Sequence, residues 1–137
     1  MASGKGNYWE NAVLNYTLSG TAIPTLPATL YASLHTASVA DTGGGAEVSS
    51  TGTGYARLEF ARDGDMFPET ADGTSENAEL LQWAVATDDW GSLTSVGIWD
   101  ASTGGNLLYW GDLAAPQTIN TNNRFELPPG NVVISED

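Results

Sequence analysis

The sequence predicts an all-β fold, a jelly-roll-like β-sandwich of about eight short strands with a short N-terminal helix. Three observations lead there. Short apolar runs recur along the chain, and several alternate with a period of two. Turn formers separate them, with 16 Gly and 6 Pro spread through 137 residues. Between residues 94 and 113, two apolar runs (96–99 and 107–110) flank a small polar loop holding Gly104 and Gly105. That is the pattern of a β-hairpin with a loop longer than the tightest turns.

The first expected element is a helix over residues 7–19. Asn7 can cap it, and Glu10 three residues later completes a capping-box pattern. Trp9, Val13, Tyr16 and Leu14 recur at helical spacing, and Gly20 can end the helix. Such a helix either docks on the chain's own sheet or serves as an arm that carries Tyr8 and Trp9 to a partner. Pro24 and Pro27 keep the following linker extended.

Residues 30–36 read as a strand with Leu30, Ala32 and Leu34 on one face and Tyr31, Ser33 and His35 on the other. Residues 37–54, rich in Ser, Thr and Gly, read as a long mobile loop. Its three central glycines lack the Gly-Lys-Ser/Thr ending of a phosphate cradle. In residues 55–61, Ala56, Leu58 and Phe60 oppose Tyr55, Arg57 and Glu59, the latter two on a solvent or interface face. Residues 62–77 form an acidic, turn-rich excursion, and residues 80–86 a strand buried on both faces. A turn at 88–91 leads into the hairpin. Short strands at 117–119, 124–127 and 132–136 follow, separated by turns at 120–123 and 128–130. The β-rich body thus runs from about residue 28 to 137, within one domain spanning residues 1–137.

Seventeen acids against four bases give a formal charge of −13. Lys5, Arg57, Arg62 and Arg124 are too few for the basic face that direct nucleic-acid binding needs, and an anionic membrane surface is disfavoured for the same reason. The acidity serves solubility or salty surroundings, or complements a basic or polar partner. The absence of cysteine excludes disulfides and thiolate metal sites. No apolar run reaches the roughly 20 residues of a membrane-spanning helix. The first six residues lack an apolar signal core, so the expected location is the cytosol, or outside after lysis.

Candidate chemistry is sparse. His35 is the sole histidine and shares a strand face with Ser33, but no Gly-x-Ser-x-Gly elbow accompanies them. The acids of residues 63–76 read as solvated charges rather than a glycosidase pair, and Asp63-Gly64-Asp65 is only a fragment of a calcium loop. No catalytic residue, metal ligand or cofactor is assigned, and the expectation is a protein that is not an enzyme. Five aromatics, Tyr8, Trp9, Trp90, Trp99 and Trp110, are the candidates for a partner or subunit interface. Trp99 falls out of phase with Val96 and Ile98 and so faces away from the core. Trp90, Trp99, Tyr109 and Trp110 also leave open a carbohydrate-binding module.

These residues, taken in order, carry a resemblance. The run from Ala28 to Ala37 (ATLYASLHTA), Glu47-Val48 after a Gly-rich loop, and Gly54-Tyr-Ala-Arg57 begin the pattern. Val96-Gly-Ile-Trp-Asp100, Gly104-Gly-Asn-Leu-Leu-Tyr-Trp-Gly111 and a last Val133-Ile-Ser strand complete it. The chain resembles a family of small all-β structural proteins of tailed bacteriophages, whose members are often labelled tail or tail-fibre proteins. It is also similar to capsid cement or decoration proteins. The resemblance implies a non-enzymatic virion protein made in the host cytoplasm. The foremost expectation is a decoration protein on the outer capsid surface that grips the major capsid protein and copies of itself as a homotrimer. The alternative is a tail, adaptor or fibre-associated component. No functional residue carries over, because the matching positions are turn glycines and core residues.

Overall fold

The computed structural model describes residues 3–136. In chain order the elements are β1 (Ser3–Lys5), α1 (Asn7–Ser19), β2 (Thr29–His35), β3 (Leu58–Ala61), β4 (Thr74–Glu76) and β5 (Leu81–Gln82). They continue with β6 (Gly91–Trp99), β7 (Leu107–Ile119), β8 (Glu126–Leu127) and β9 (Val133–Ser135). Among the described residues the fold is all-β with one short helix, and every ladder is antiparallel. Five strands share a sheet in the order β1-β7-β6-β2-β3, while β4 pairs with β9 and β5 with β8 as two-stranded ribbons. A jelly roll would divide eight strands between two four-stranded sheets; here one sheet takes five and the ribbons take four. No helix among the described residues is long and apolar enough to cross a membrane.

Alternation along β2 decides the layering. Leu30, Ala32 and Leu34 face the same side as Val96 and Ile98 of β6, to which Leu34 and Ala32 are register partners. The ribbons cover that face with Leu81, Trp83, Phe125, Leu127 and Val132. Trp83 tilts against Phe125 at 5.5 Å between ring centres, and Trp90 meets the edge of Tyr55 at 5.6 Å. Burying side chains of this size contributes about 1.5–3 kcal/mol each, so this layer supplies most of the fold's stability.

Several expected elements differ, each for a local reason. Asn7 does not cap α1; Gly6 occupies the cap position and no side chain caps the helix. Gly6 N–H bonds Leu108 O, and a Cβ on Gly6 would lie 2.4 Å from Leu107 O. Contact with β7 therefore sets the start of the helix and demands glycine there. The end at Gly20, in the left-handed region, is as expected.

The segment expected as a separate strand at 117–119 is the far end of β7. Between Asp112 and Gln117 the chain bulges out of register with β6 and passes Pro116, which has no N–H to give to a ladder. In the segment 80–86 only Leu81–Gln82 is strand, and one side alone is buried: Leu81, Trp83 and Ala86 point inward, Leu80 and Val85 outward. Strands β1 and β4 fall in segments that sequence patterning assigns to no strand, since each is three residues long with no apolar alternation.

The loop expected to be mobile is tied down. Glu47 bridges His35, Thr36 N–H bonds Ala46 O, Val48 N–H bonds Leu34 O, and Val39 and Val48 are buried. Tyr55 and Arg57 do not extend β3 outward. Tyr55 enters the core, and the Arg57 side chain is only 5% exposed.

Candidate functional site

The reverse face of the sheet carries a closed polar cluster. β2 places Ser33 and His35 on this face, β6 adds Trp99, and the loop returning toward β3 brings Glu47 and Arg57 over them, while Tyr55 reaches Glu47 with its hydroxyl from the main core. Trp99 Nε1–H donates to Ser33 Oγ at 2.6 Å, and Ser33 Oγ lies 2.7 Å from His35 Nε2. His35 Nδ1 lies 2.9 Å from Gly45 O, an acceptor only. The proton therefore belongs on Nδ1, and Nε2 accepts the serine O–H. Burial holds the His35 pKa below its ordinary value, with the Gly45 carbonyl and Glu47 opposing and Arg57 assisting.

Arg57 is the hub. Its guanidinium grips Glu47 through two 2.9 Å bonds, donates to Ala101 O and Gly104 O, and sits 4.2 Å above the Trp99 ring. Burial pushes the Glu47 carboxyl up, but hydrogen bonds from Arg57 and Tyr55 outweigh it and hold the pKa below its ordinary value. Tyr55 O–H donates to Glu47 and also accepts Leu34 N–H at 3.0 Å. Burial and the neighbouring carboxylate keep that phenol protonated.

The Ser33–His35 spacing is short enough for proton transfer, but both side chains are sealed and Ser33 Oγ already accepts the Trp99 N–H. The arrangement fastens the long loop and the hairpin loop to the sheet. Close approach makes it possible: a Cβ on Gly97 would meet Trp99 Nε1 at 2.7 Å and Ser33 Oγ at 2.8 Å.

The five aromatic candidates separate into distinct settings. Trp90 lies in the main core and donates Nε1–H to Thr53 O at 2.8 Å. Trp99 does face away from that core, yet it is buried in a second cluster with Val39 and Leu107, against which Trp110 packs. Trp110 is half-buried, with Nε1–H donated to Asp41 at 2.8 Å. Trp9 is half-buried at the base of α1, the helix that packs against β7. Tyr8 is exposed and lines a shallow cleft with Trp99, Asp41 and Asn106. Thus Tyr8 and Trp99 come together, as do Trp99 and Trp110, while Trp90 stands apart.

A second cluster secures the N-terminal strand. Lys5 Nζ lies 2.7 Å from Glu136, which also accepts the Tyr109 O–H at 2.6 Å. Burial tends to raise the Glu136 pKa, and the bonds from Lys5 and Tyr109 hold it below the ordinary value. Beside this cluster an apolar cavity of about 280 Å³ opens between the sheet and the β4–β9 ribbon. Leu30, Phe60, Phe67, Ile98, Tyr109 and Ile134 line it, with Arg62 and Glu136 also at its wall.

Exposed apolar residues lie on and after α1, of which sequence reasoning passed over Leu18 and Ile23. Leu14, Tyr16, Leu18 and Ile23 are exposed, and no residue of α1 is fully buried. Leu14 and Tyr16 were assigned to the docking stripe, but Leu14 lies about 100° around the helix from Val13 and about 140° from Trp9 and faces outward, and Tyr16 is exposed as well. Among the described residues, no three His, Asp or Glu side chains are grouped to hold a metal ion. Asp65 N–H instead bonds Asp63 within its own turn.

No curated protein matches the chain. Residues 4–135 match the family described as Podophage GP4 fiber I protein gp80. That match spans nearly the whole chain, every strand but the first residue of β1 included. The chain therefore belongs to the podophage GP4 fiber I protein gp80 family, a family of phage virion structural proteins.

Proposed function

We propose that this protein is a non-enzymatic structural subunit of the fibre apparatus of a phage virion, working in several copies as a cyclic homo-oligomer, with a trimer the first expectation. The family match over residues 4–135 carries this reading, because the family's description is that of a fibre protein. The geometry agrees with it. The one Ser–His pair is sealed inside the sheet's reverse face, and the polar groups there are spent on fastening loops.

Quantitative mass spectrometry of purified virions tests the proposal. A fibre component should be present at on the order of ten copies per particle, a small multiple of the tail's cyclic symmetry. Hundreds of copies, lost together with shell stability, would overturn it in favour of a capsid cement protein bound to the major capsid protein.

A further inference from the structure

The geometry points to a head-to-tail contact between copies, in which α1 of one copy inserts Leu14 and Leu18 into the apolar cavity beside Phe60 and Ile134 of the next. The inference deepens the multi-copy reading above and rests on it.

Four observations meet here. First, α1 has no fully buried residue, although a lone helix of 13 residues is marginal in water. Trp9 and Val13 lean toward the body, while Leu14 (54% exposed) and Leu18 (78%) point the other way. Apolar residues on both sides mark a helix with a neighbour on each. Second, Leu14 and Leu18 stand one helical turn apart and form a single apolar knob. Third, the same chain presents an open apolar cavity of about 280 Å³, small for a ligand site and of a size for a few aliphatic side chains.

Charge selects the occupant. The first 40 residues hold one base and one acid, Lys5 and Glu10; residues 41–137, with the other 16 acids and 3 bases, carry the whole −13. Two such bodies repel, so copies approach best through the neutral N-terminal segment. A basic partner would be drawn to the acidic body rather than to α1. At the cavity wall Glu136 is already paired with Lys5 and Arg62 donates to the Leu26 and Pro27 carbonyls, so a helix whose single charge is Glu10 meets a basic side chain and no unpaired acid. Knob and cavity are different surfaces, and the contact is therefore heterologous and closes only as a ring.

The test uses two full-length variants. Leu14→Glu with Leu18→Glu removes the knob, and Ser75→Trp, on β4 opposite Ile134 at the cavity wall, fills the cavity. By sedimentation velocity the native chain should form a discrete oligomer. Each variant should be a monomer with unchanged circular dichroism and an association weakened on the order of 100-fold or more. Mixed together, the two should form a one-to-one heterodimer, since the mixture retains one good knob and one good cavity. A monomeric native chain overturns the proposal. So does a knob variant that still assembles, or a cavity variant that assembles normally, which would place α1 against another α1. Virion copy number is read separately, so a failure here leaves the fibre assignment standing or falling on its own measurement.

Discussion

Replacing Arg57 by methionine is expected to destabilise the protein by about 3 kcal/mol, near the low end for removing one partner of a buried ion pair. The magnitude follows from the site. Arg57 is 5% exposed and Glu47 29%, joined by two bonds of 2.9 Å. Loss of the guanidinium leaves a carboxylate that still accepts the Tyr55 O–H and can draw in water through its exposed part, which moderates the cost. The carbonyls of Ala101 and Gly104 also lose their donor, but they belong to the exposed hairpin loop and rehydrate. For a chain of this length the change corresponds to a fall in Tm of about 10 °C. Urea unfolding followed by circular dichroism measures it, with Glu47→Gln completing a double-mutant cycle. The double variant should cost about 2 kcal/mol less than the sum of the single ones. Arg57→Lys keeps the charge but not the fork, and should recover only part of the loss. A cost below about 1 kcal/mol with no coupling would refute the reasoning, because that is how a solvated surface pair behaves.

Stability should also depend on pH through His35, whose folded pKa lies below its ordinary 6.5. Between those two values the unfolded chain binds more protons, so the His35 contribution is complete above 6.5 and is lost as pH falls toward the folded value. Urea midpoints taken between about pH 7.5 and about pH 5 should show this loss, and His35→Asn should flatten it; an unchanged slope in that variant would assign the effect elsewhere. Glu47 and Glu136, both held below their ordinary value of 4.5, add a further loss only at more acidic pH. Trp99→Phe removes the donor to Ser33 and weakens the platform under Arg57, at an expected cost of about 2 kcal/mol by the same unfolding assay. Gly97→Ala forces a Cβ against the Trp99 indole and Ser33 hydroxyl, and should cost about 2–3 kcal/mol with a changed near-ultraviolet tryptophan spectrum. A neutral outcome would mean that the sheet's reverse face is less tightly closed than the distances imply.

Local patterning was enough for the elements whose signal is local. The two-residue alternation of residues 30–36 sorted the faces of β2 correctly, because a strand's side chains must alternate whatever it packs against. The hairpin around Gly104 and Gly105 was legible for the same reason, as was the helix end at Gly20. Errors arose where a distant backbone decided the matter. Asn7 and Glu10 fit a capping box, yet β7 sets the helix start at Gly6. Residues 37–54 have the composition of a free loop, yet Glu47 is held by Arg57, ten residues away, and by His35.

By itself the sequence determined an all-β chain with an N-terminal helix of a single charge and a strongly acidic body, since alternation, turn density and charge are properties of neighbouring residues. Only the tertiary structure decided which polar groups are sealed and which apolar ones are left outside. Ser33, His35, Glu47, Arg57 and Trp99 are ordinary surface-type or strand residues until three segments converge and remove them from water. Leu14 and Tyr16, assigned by spacing to the docking stripe with Trp9 and Val13, are left outside, and of that stripe only Trp9 and Val13 lean on the body. Burial depends on what the rest of the chain places overhead, which no local pattern encodes.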